Sequence, residues 1–312
     1  MRRPVAIVVA GGVAVAGVES VSGPTAGRFS LVVAGDGAAL ADPDVRVEIG
    51  FAVDGVEALV LVGRVDWMER DVLRGSVRVE GRDLAGLLIE SRPEALYVNR
   101  TAGDIARSLA GAVGLGCDAV AGGEVVGRLY GAERDRLQLA RFARAGNGWD
   151  QLALLAAAEG GRVWMEGEVL RFGVDDGGSG VVVDAGVVTG LRVVTETGLL
   201  RGVEVAVASW GTRVGQVATG QAGASGGVRH RIVRPNLAPA EAQALAERAV
   251  AQVVRHARRV EVEMPGELAM RAGGVVSVVG VPGLEGAWRV TSLRRRLDVR
   301  RGFTQSVVLE AA

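Results

Sequence analysis

The sequence reads as a mainly β protein, with two β-barrel or β-sandwich domains and a small α+β insertion between them. Three features point to it. Val-rich segments alternate apolar with polar or small side chains, as half-buried strands do. Glycine, 47 of 312 residues, breaks those segments together with Asp and Pro in turn-like clusters. Helical spacing interrupts the strand pattern in the middle of the chain and again near residue 240. The expected domains are 1–82, 83–177 and 178–312, the last with a flanking helix over 239–258.

Strands are expected over 3–10, 13–21, 27–34, 45–53, 57–67 and 73–81. The N-terminus has two readings. Arg2-Arg3 before an apolar run has the charge and length of a secretory signal. The same residues read as a β-hairpin turning at Gly11-Gly12, and that reading is preferred. No other stretch approaches an uncharged membrane span.

From Asp83 the pattern turns helical. A short helix is expected over 83–91. A second opens at Thr101, where Asp104 three residues on suggests a capping box and Ile105, Leu109 and Val113 form its apolar stripe. Two more are expected over 132–145 and 149–158, the latter ended by Gly160-Gly161, before two strands in 161–174. Strands and turns return over 178–235. The helix over 239–258 starts at Pro239, with Leu245, Ala249, Val253 and Ala257 on one face. Four strands follow, in 258–264, 273–280, 287–299 and 303–311. An internal echo links 57–81 with 286–310. Each has an apolar strand, a charged middle, an Arg-Gly step and an alternating strand. Aligning Val62 with Val290 sets Gly75 against Gly302 with one residue of slip.

Composition removes several functions. Basic and acidic residues balance at 36 each, which argues against bulk binding of nucleic acid or anionic membrane. There is no lysine, hence no Walker-A lysine and no Schiff base. One cysteine, Cys117, and two histidines, His230 and His256, allow no intrachain disulfide and argue against a His/Cys metal site. No cofactor and no catalytic residue is expected.

Four local patterns have a sharp reading and a plainer one. Gly223-Ala224-Ser225-Gly226-Gly227 fits G-x-S-x-G, with His230 nearby, but the residues after it alternate like a strand and not a helix; a flexible hairpin loop is the plainer reading. Asp175-Asp176-Gly177-Gly178-Ser179-Gly180 lacks calcium-loop spacing and reads as a tight solvent turn. Asp66, Glu69 and Asp71 could pair as hydrolytic carboxylates, but nothing suggests an apolar cleft, so interface or solvated charges are expected. Arg294, Arg295, Arg296, Arg300 and Arg301 make a basic hairpin suited foremost to carboxylates of a neighbouring subunit, otherwise to phosphate in a channel or to plain solvation.

Three stretches resemble the phage late control D, or baseplate hub, family, related to the N-terminal hub part of type VI secretion spike proteins. The first is 77–115, through Asp83, Tyr97, Thr101 and Ile105. The second is 149–172, through Trp149, Asp150, Leu152, Leu155, Gly160, Leu170 and Phe172. The third is 238–280, through Pro265, Gly266 and Gly274. The resemblance implies two tube-like barrels per chain and a homotrimeric ring with a pseudo-sixfold face toward the tail tube or distal tail protein. It implies a threefold face toward a spike or tip protein, and a channel through which DNA passes without specific binding. The implied place is the virion tail or a phage-like particle, made in the bacterial host cytoplasm. A β-rich adhesin-like binding module is the alternative, and a hydrolase using Ser225 a distant third.

Overall fold

The computed structural model describes residues 5–9, 15–42, 44–93, 97, 100–120, 146–175, 177–210, 217–234, 237–298 and 300–312. The first alternating segments form β1 (Val5–Val9), β2 (Val15–Ser22), β3 (Arg28–Ala34), β4 (Arg46–Val53), β5 (Val56–Asp71) and β6 (Ser76–Asp83). β1 and β2 do not make the expected hairpin. β1 pairs with β4, and β2 with β3 and β17. Their Gly11-Gly12 connection lies outside the described residues. β5 runs further than its apolar pattern suggests. A bulge between Val65 and Trp67 resets its register, and the charged stretch continues the ladder with β6.

The insert comprises α1 (Ala85–Glu90), α2 (Ala102–Ala112), β7 (Gly116–Ala119), α3 (Gly148–Ala158), β8 (Arg162–Glu166) and β9 (Val169–Gly173). The capping box at α2 is present. Thr101 Oγ1 accepts from the Asp104 N–H at 3.1 Å, and the Thr101 N–H donates to the Asp104 carboxylate at 3.3 Å. α3 stops where Gly160 takes a positive φ and the Gly161 N–H returns to the Ala156 carbonyl at 2.8 Å. Ile105, Leu109, Trp149, Leu152, Leu170 and Phe172 share one buried core. The helix expected over 132–145 falls outside the described residues.

The remainder comprises β10 (Gly178–Asp184), β11 (Gly190–Thr195), α4 (Thr197–Leu200), β12 (Val203–Trp210), β13 (Val217–Gly223), β14 (Val228–Val233), α5 (Pro239–Arg255), β15 (Arg258–Pro265), β16 (Val275–Val279), β17 (Gly286–Asp298) and β18 (Gly302–Ala311). β12, β13 and β14 form a separate three-stranded sheet covered by α5, with its own core of Val203, Val205, Val207, Ala242 and Ala246. The helix buries its small residues more deeply than the Leu245–Val253 stripe. A Cβ on Gly220 would lie 2.2 Å from the Ala242 carbonyl oxygen, so helix and strand backbones meet directly.

In the insert β7, β9 and β8 form another three-stranded sheet, and the remaining twelve strands join in one sheet that is built twice over. Its first half is ordered β1-β4-β5-β6-β3-β2, its second β10-β16-β17-β18-β15-β11. In chain order both read first, fourth, fifth, sixth, third, second. The one change of direction is at the outermost strand, since β1 is antiparallel to β4 and β10 parallel to β16. The long hairpins share a turn motif, although Asp71 pairs with Ser76 and Asp298 one residue earlier, with Gly302. Asp-Val-x-Arg-Gly occurs at 71–75 and at 298–302. Asp71 Oδ1 accepts from the Arg74 N–H at 3.0 Å, and Asp298 Oδ1 from the Arg301 N–H at 2.6 Å. Gly75 and Gly302 close the turns at φ 60° and 70°, a conformation glycine adopts without strain. Each fifth strand also carries a bulge, the second between Val290 and Ser292.

Candidate functional site

The two halves meet along one antiparallel joint, and the charged residues singled out in the sequence gather there or at its counterpart. β17 has β18 on one edge. On the other edge β16 pairs as far as Arg289, and β2 then takes over from Leu293 to Asp298. In that register Arg294 opposes Val21 and Arg296 opposes Glu19. Strand alternation sends Arg294 and Arg296 outward and Arg295 inward. Arg294 Nε lies 3.6 Å from Glu19 Oε1, and Arg296 Nε lies 3.4 Å from Asp298 Oδ2. Phe303 of the second half stacks on Phe51 of the first, with ring centroids 4.6 Å apart, and shares the first half's core.

Arg295 differs from its neighbours. It is buried and donates to the carbonyls of Glu267, Leu268 and Met270 in the loop between β15 and β16. Burial pulls its pKa down to about 10, against the opposing charge of Glu267. It is thus withdrawn from any channel or neighbouring subunit. Arg300 and Arg301 lie in the hairpin turn. Their N–H groups donate to Asp298, and the Arg301 bond is the main cause of that carboxylate's lowered pKa.

In the first half the acidic counterparts sit on β5. Asp66 takes a two-pronged contact from Arg82, at 2.7 and 2.8 Å, and Arg82 also reaches Glu90 at 2.5 Å. Those carboxylates, the Asp66 bond foremost, raise the Arg82 pKa. Asp71 holds its turn, and Glu69 is exposed between them. Among the described residues no cleft brings the three carboxylates to a common point.

The Ser225 segment is neither a nucleophile elbow nor a hairpin. β13 and β14 flank β12 on opposite sides, so 224–227 crosses over the start of β12. The Ala224 N–H donates to the Val203 carbonyl and the Val228 N–H to the Gly202 carbonyl, both at 3.0 Å. A Cβ on Gly223 would lie 1.9 Å from the Val203 oxygen, and one on Gly227 would lie 2.3 Å from the Gly202 oxygen. The glycines are there to let backbone cross backbone. A strand follows, and its His230 is exposed. Cys117 is half-buried, and desolvation raises its pKa, the reverse of an activated thiol. Among the described residues no cluster of His, Cys, Asp and Glu is placed to hold a metal ion, and no helix is long and apolar enough to cross a membrane.

Asp175 departs most from its expected role. It is no solvent turn, since its side chain is 4% exposed. Arg162 of β8 lies 3.4 Å away and Arg271 of the β15–β16 loop 3.1 Å away, so this carboxylate clamps the insert to the second half. Arg162 also donates to the Ala272 carbonyl at 2.8 Å and stacks over Trp164 at 4.4 Å. A side chain on Gly273 would collide with its guanidinium. Burial lowers the Arg162 pKa, opposed chiefly by Asp175.

No protein-family model and no curated sequence matches the chain. Solved structures do. A tail protein from Neisseria meningitidis superposes with a TM-score of 0.73 at 16% identity, covering 99% of this chain and 97% of that one. A prophage tail protein from Shewanella oneidensis gives 0.69 at 15% identity, covering 97% of each chain. An Escherichia coli component of the type VI secretion system, described as structurally similar to bacteriophage T4 tail proteins, gives 0.55 at 12% identity over 99% of this chain and 77% of that one. The β-rich fold read from the sequence is therefore the fold of phage tail and type VI secretion proteins, and this chain carries it over nearly its whole length.

Proposed function

We propose that this chain is the structural hub of a phage tail or phage-like particle, and that it works without catalysis. Three copies form a ring. Each contributes two like-built halves, so six equivalent units present a pseudo-sixfold face to the tail tube or a distal tail protein. The inserts, one per chain, mark the threefold symmetry that a spike or tip protein would meet. The observation that carries this reading is the repeated strand order of the two halves. One chain with two equivalent faces is what converts six into three. The ring's axial channel lets DNA pass without specific recognition, in keeping with a chain of zero net charge.

Native mass spectrometry tests the reading. The expected species is three times the 32.2 kDa chain mass. A chain that stays monomeric, both alone and with a tail-tube protein, contradicts the hub.

A further inference from the structure

We infer that the subunits of this ring are joined by the edge of β11 of one copy adding antiparallel to the tail of β5, residues 67–71, of the next. The inference rests on the trimer reading and names its interface. It comes from repeating the joint already present inside the chain. There, the second strand of the first half, β2, pairs with the end of the fifth strand of the second half, β17. The repeat of that contact around a ring sets the second strand of the second half, β11, against the end of the fifth strand of the first half, β5. Such a head-to-tail contact closes into a ring when its rotation does.

Both edges are ready for it. β4 pairs with β5 only as far as Arg64, so beyond the bulge the edge that faces β4 continues without a strand beside it among the described residues. The same edge of β17 beyond β16 is the one β2 occupies. β11 pairs with β15 and ends the sheet. Trp67 is 46% exposed and Val193 39%, and Leu73 at the hairpin tip is 99% exposed. Unpaired edges carrying large apolar side chains are a liability that pairing removes.

The match of Asp71 with Asp298, carried along the strand ladders, sets the register. Asp71 corresponds to Asp298 and Trp67 to Arg294, while the ladders through β3–β6 and β15–β18 carry Val21 onto Arg192. Trp67 then faces Arg192 of the next copy, Met68 faces Leu191 and Glu69 faces Gly190. The charges agree, with their signs exchanged. Inside the chain the outward row is basic on β17 (Arg294, Arg296) and acidic on β2 (Glu19). Between copies it is acidic on β5 (Glu69, Asp71) and basic on β11 (Arg192). Each fifth strand therefore prefers the second strand of the other half, since β2 against β5, or β11 against β17, sets like charges together.

Cross-linking tests it. In a Cys117→Ser background, Trp67→Cys with Arg192→Cys should give covalent trimers under mild oxidation. Either single variant, or Trp67→Cys with Thr195→Cys, should give none. The positions are exposed, and directly opposed strand residues lie within disulfide reach. A second arm uses charge. Glu69→Arg should lower the trimer's association constant at least tenfold, and adding Arg192→Glu should restore it. A trimer that forms but gives no disulfide between the two introduced cysteines, and that is indifferent to the charge exchange, overturns the register and leaves the hub standing. A monomer under all conditions overturns both.

Discussion

Replacing Asp175 by alanine removes the carboxylate between Arg162 and Arg271, together with the bond it accepts from the Gly177 N–H at 3.0 Å. Arg271 is 45% exposed at its side chain and can return to water. Arg162 cannot, at 27% exposure, with its guanidinium held between Trp164 and the 272–273 backbone. It keeps its bond to the Ala272 carbonyl but loses its counter-charge. Stranding one partner of a buried pair costs about 3–5 kcal/mol, and the remaining carbonyl bond and partial exposure place this case near 3 kcal/mol. Urea unfolding followed by tryptophan fluorescence measures it, with Trp164 beside the lesion. Arg162→Met in the same background should recover most of the loss, because an apolar side chain of similar size needs no counter-charge. A loss under about 1 kcal/mol for Asp175→Ala, or no recovery in the double variant, refutes the clamp.

Other predictions concern local structure. Asp83 accepts from the Gly27 and Ala85 N–H groups at 2.7 and 3.0 Å, yet desolvation outweighs both bonds and pushes its pKa up to about 7. With a folded pKa above the unfolded value near 4, its contribution is fully present below about pH 4 and is lost as pH rises through 7, by up to about 4 kcal/mol. Melting temperatures of Asp83→Asn and the native chain, compared from pH 4 to 8, should move in the variant's favour as pH rises; parallel curves count against it. Gly223→Ala, at φ 96° and against the Val203 carbonyl, should cost about 2 kcal/mol or more and loosen the β12–β14 sheet, read by hydrogen exchange of β13. Ser225→Ala, in the exposed crossing, should leave stability within about 0.5 kcal/mol in the same unfolding assay. Thr101→Ala should cost about 1 kcal/mol through the lost cap of α2, and Thr101→Ser should keep most of it, read by thermal melts.

Local chemistry was legible in the sequence. The strands of the first half followed from alternation and turn residues. The Thr101–Asp104 box closed its helix as written, and Gly160-Gly161 ended α3. The hairpin echo pointed to the duplication, although the Asp-Val-x-Arg-Gly turn marks it better than the Val62–Val290 alignment. What escaped depends on partners far along the chain. Asp175 sits in a string of Asp and Gly that reads as solvent, while Arg271, one of its partners, is 96 residues away. Arg295 reads as part of a basic run, and only strand alternation against a covering loop buries it. The 224–227 crossing shares its glycines with a flexible loop, and the difference lies in β12, which intervenes in space. For the residues proposed to join subunits, the sequence showed where charge collects on two hairpins. It could not show that one of them already pairs with β2 inside the chain.

Cryo-electron microscopy of the purified chain, viewed end-on, bears most closely on the hub itself. A closed ring of three chains is expected, its inner sheet showing six equivalent units, with three inserts outside it. A twofold dimer, or a particle with two halves and no ring either alone or on the tube, would contradict the hub.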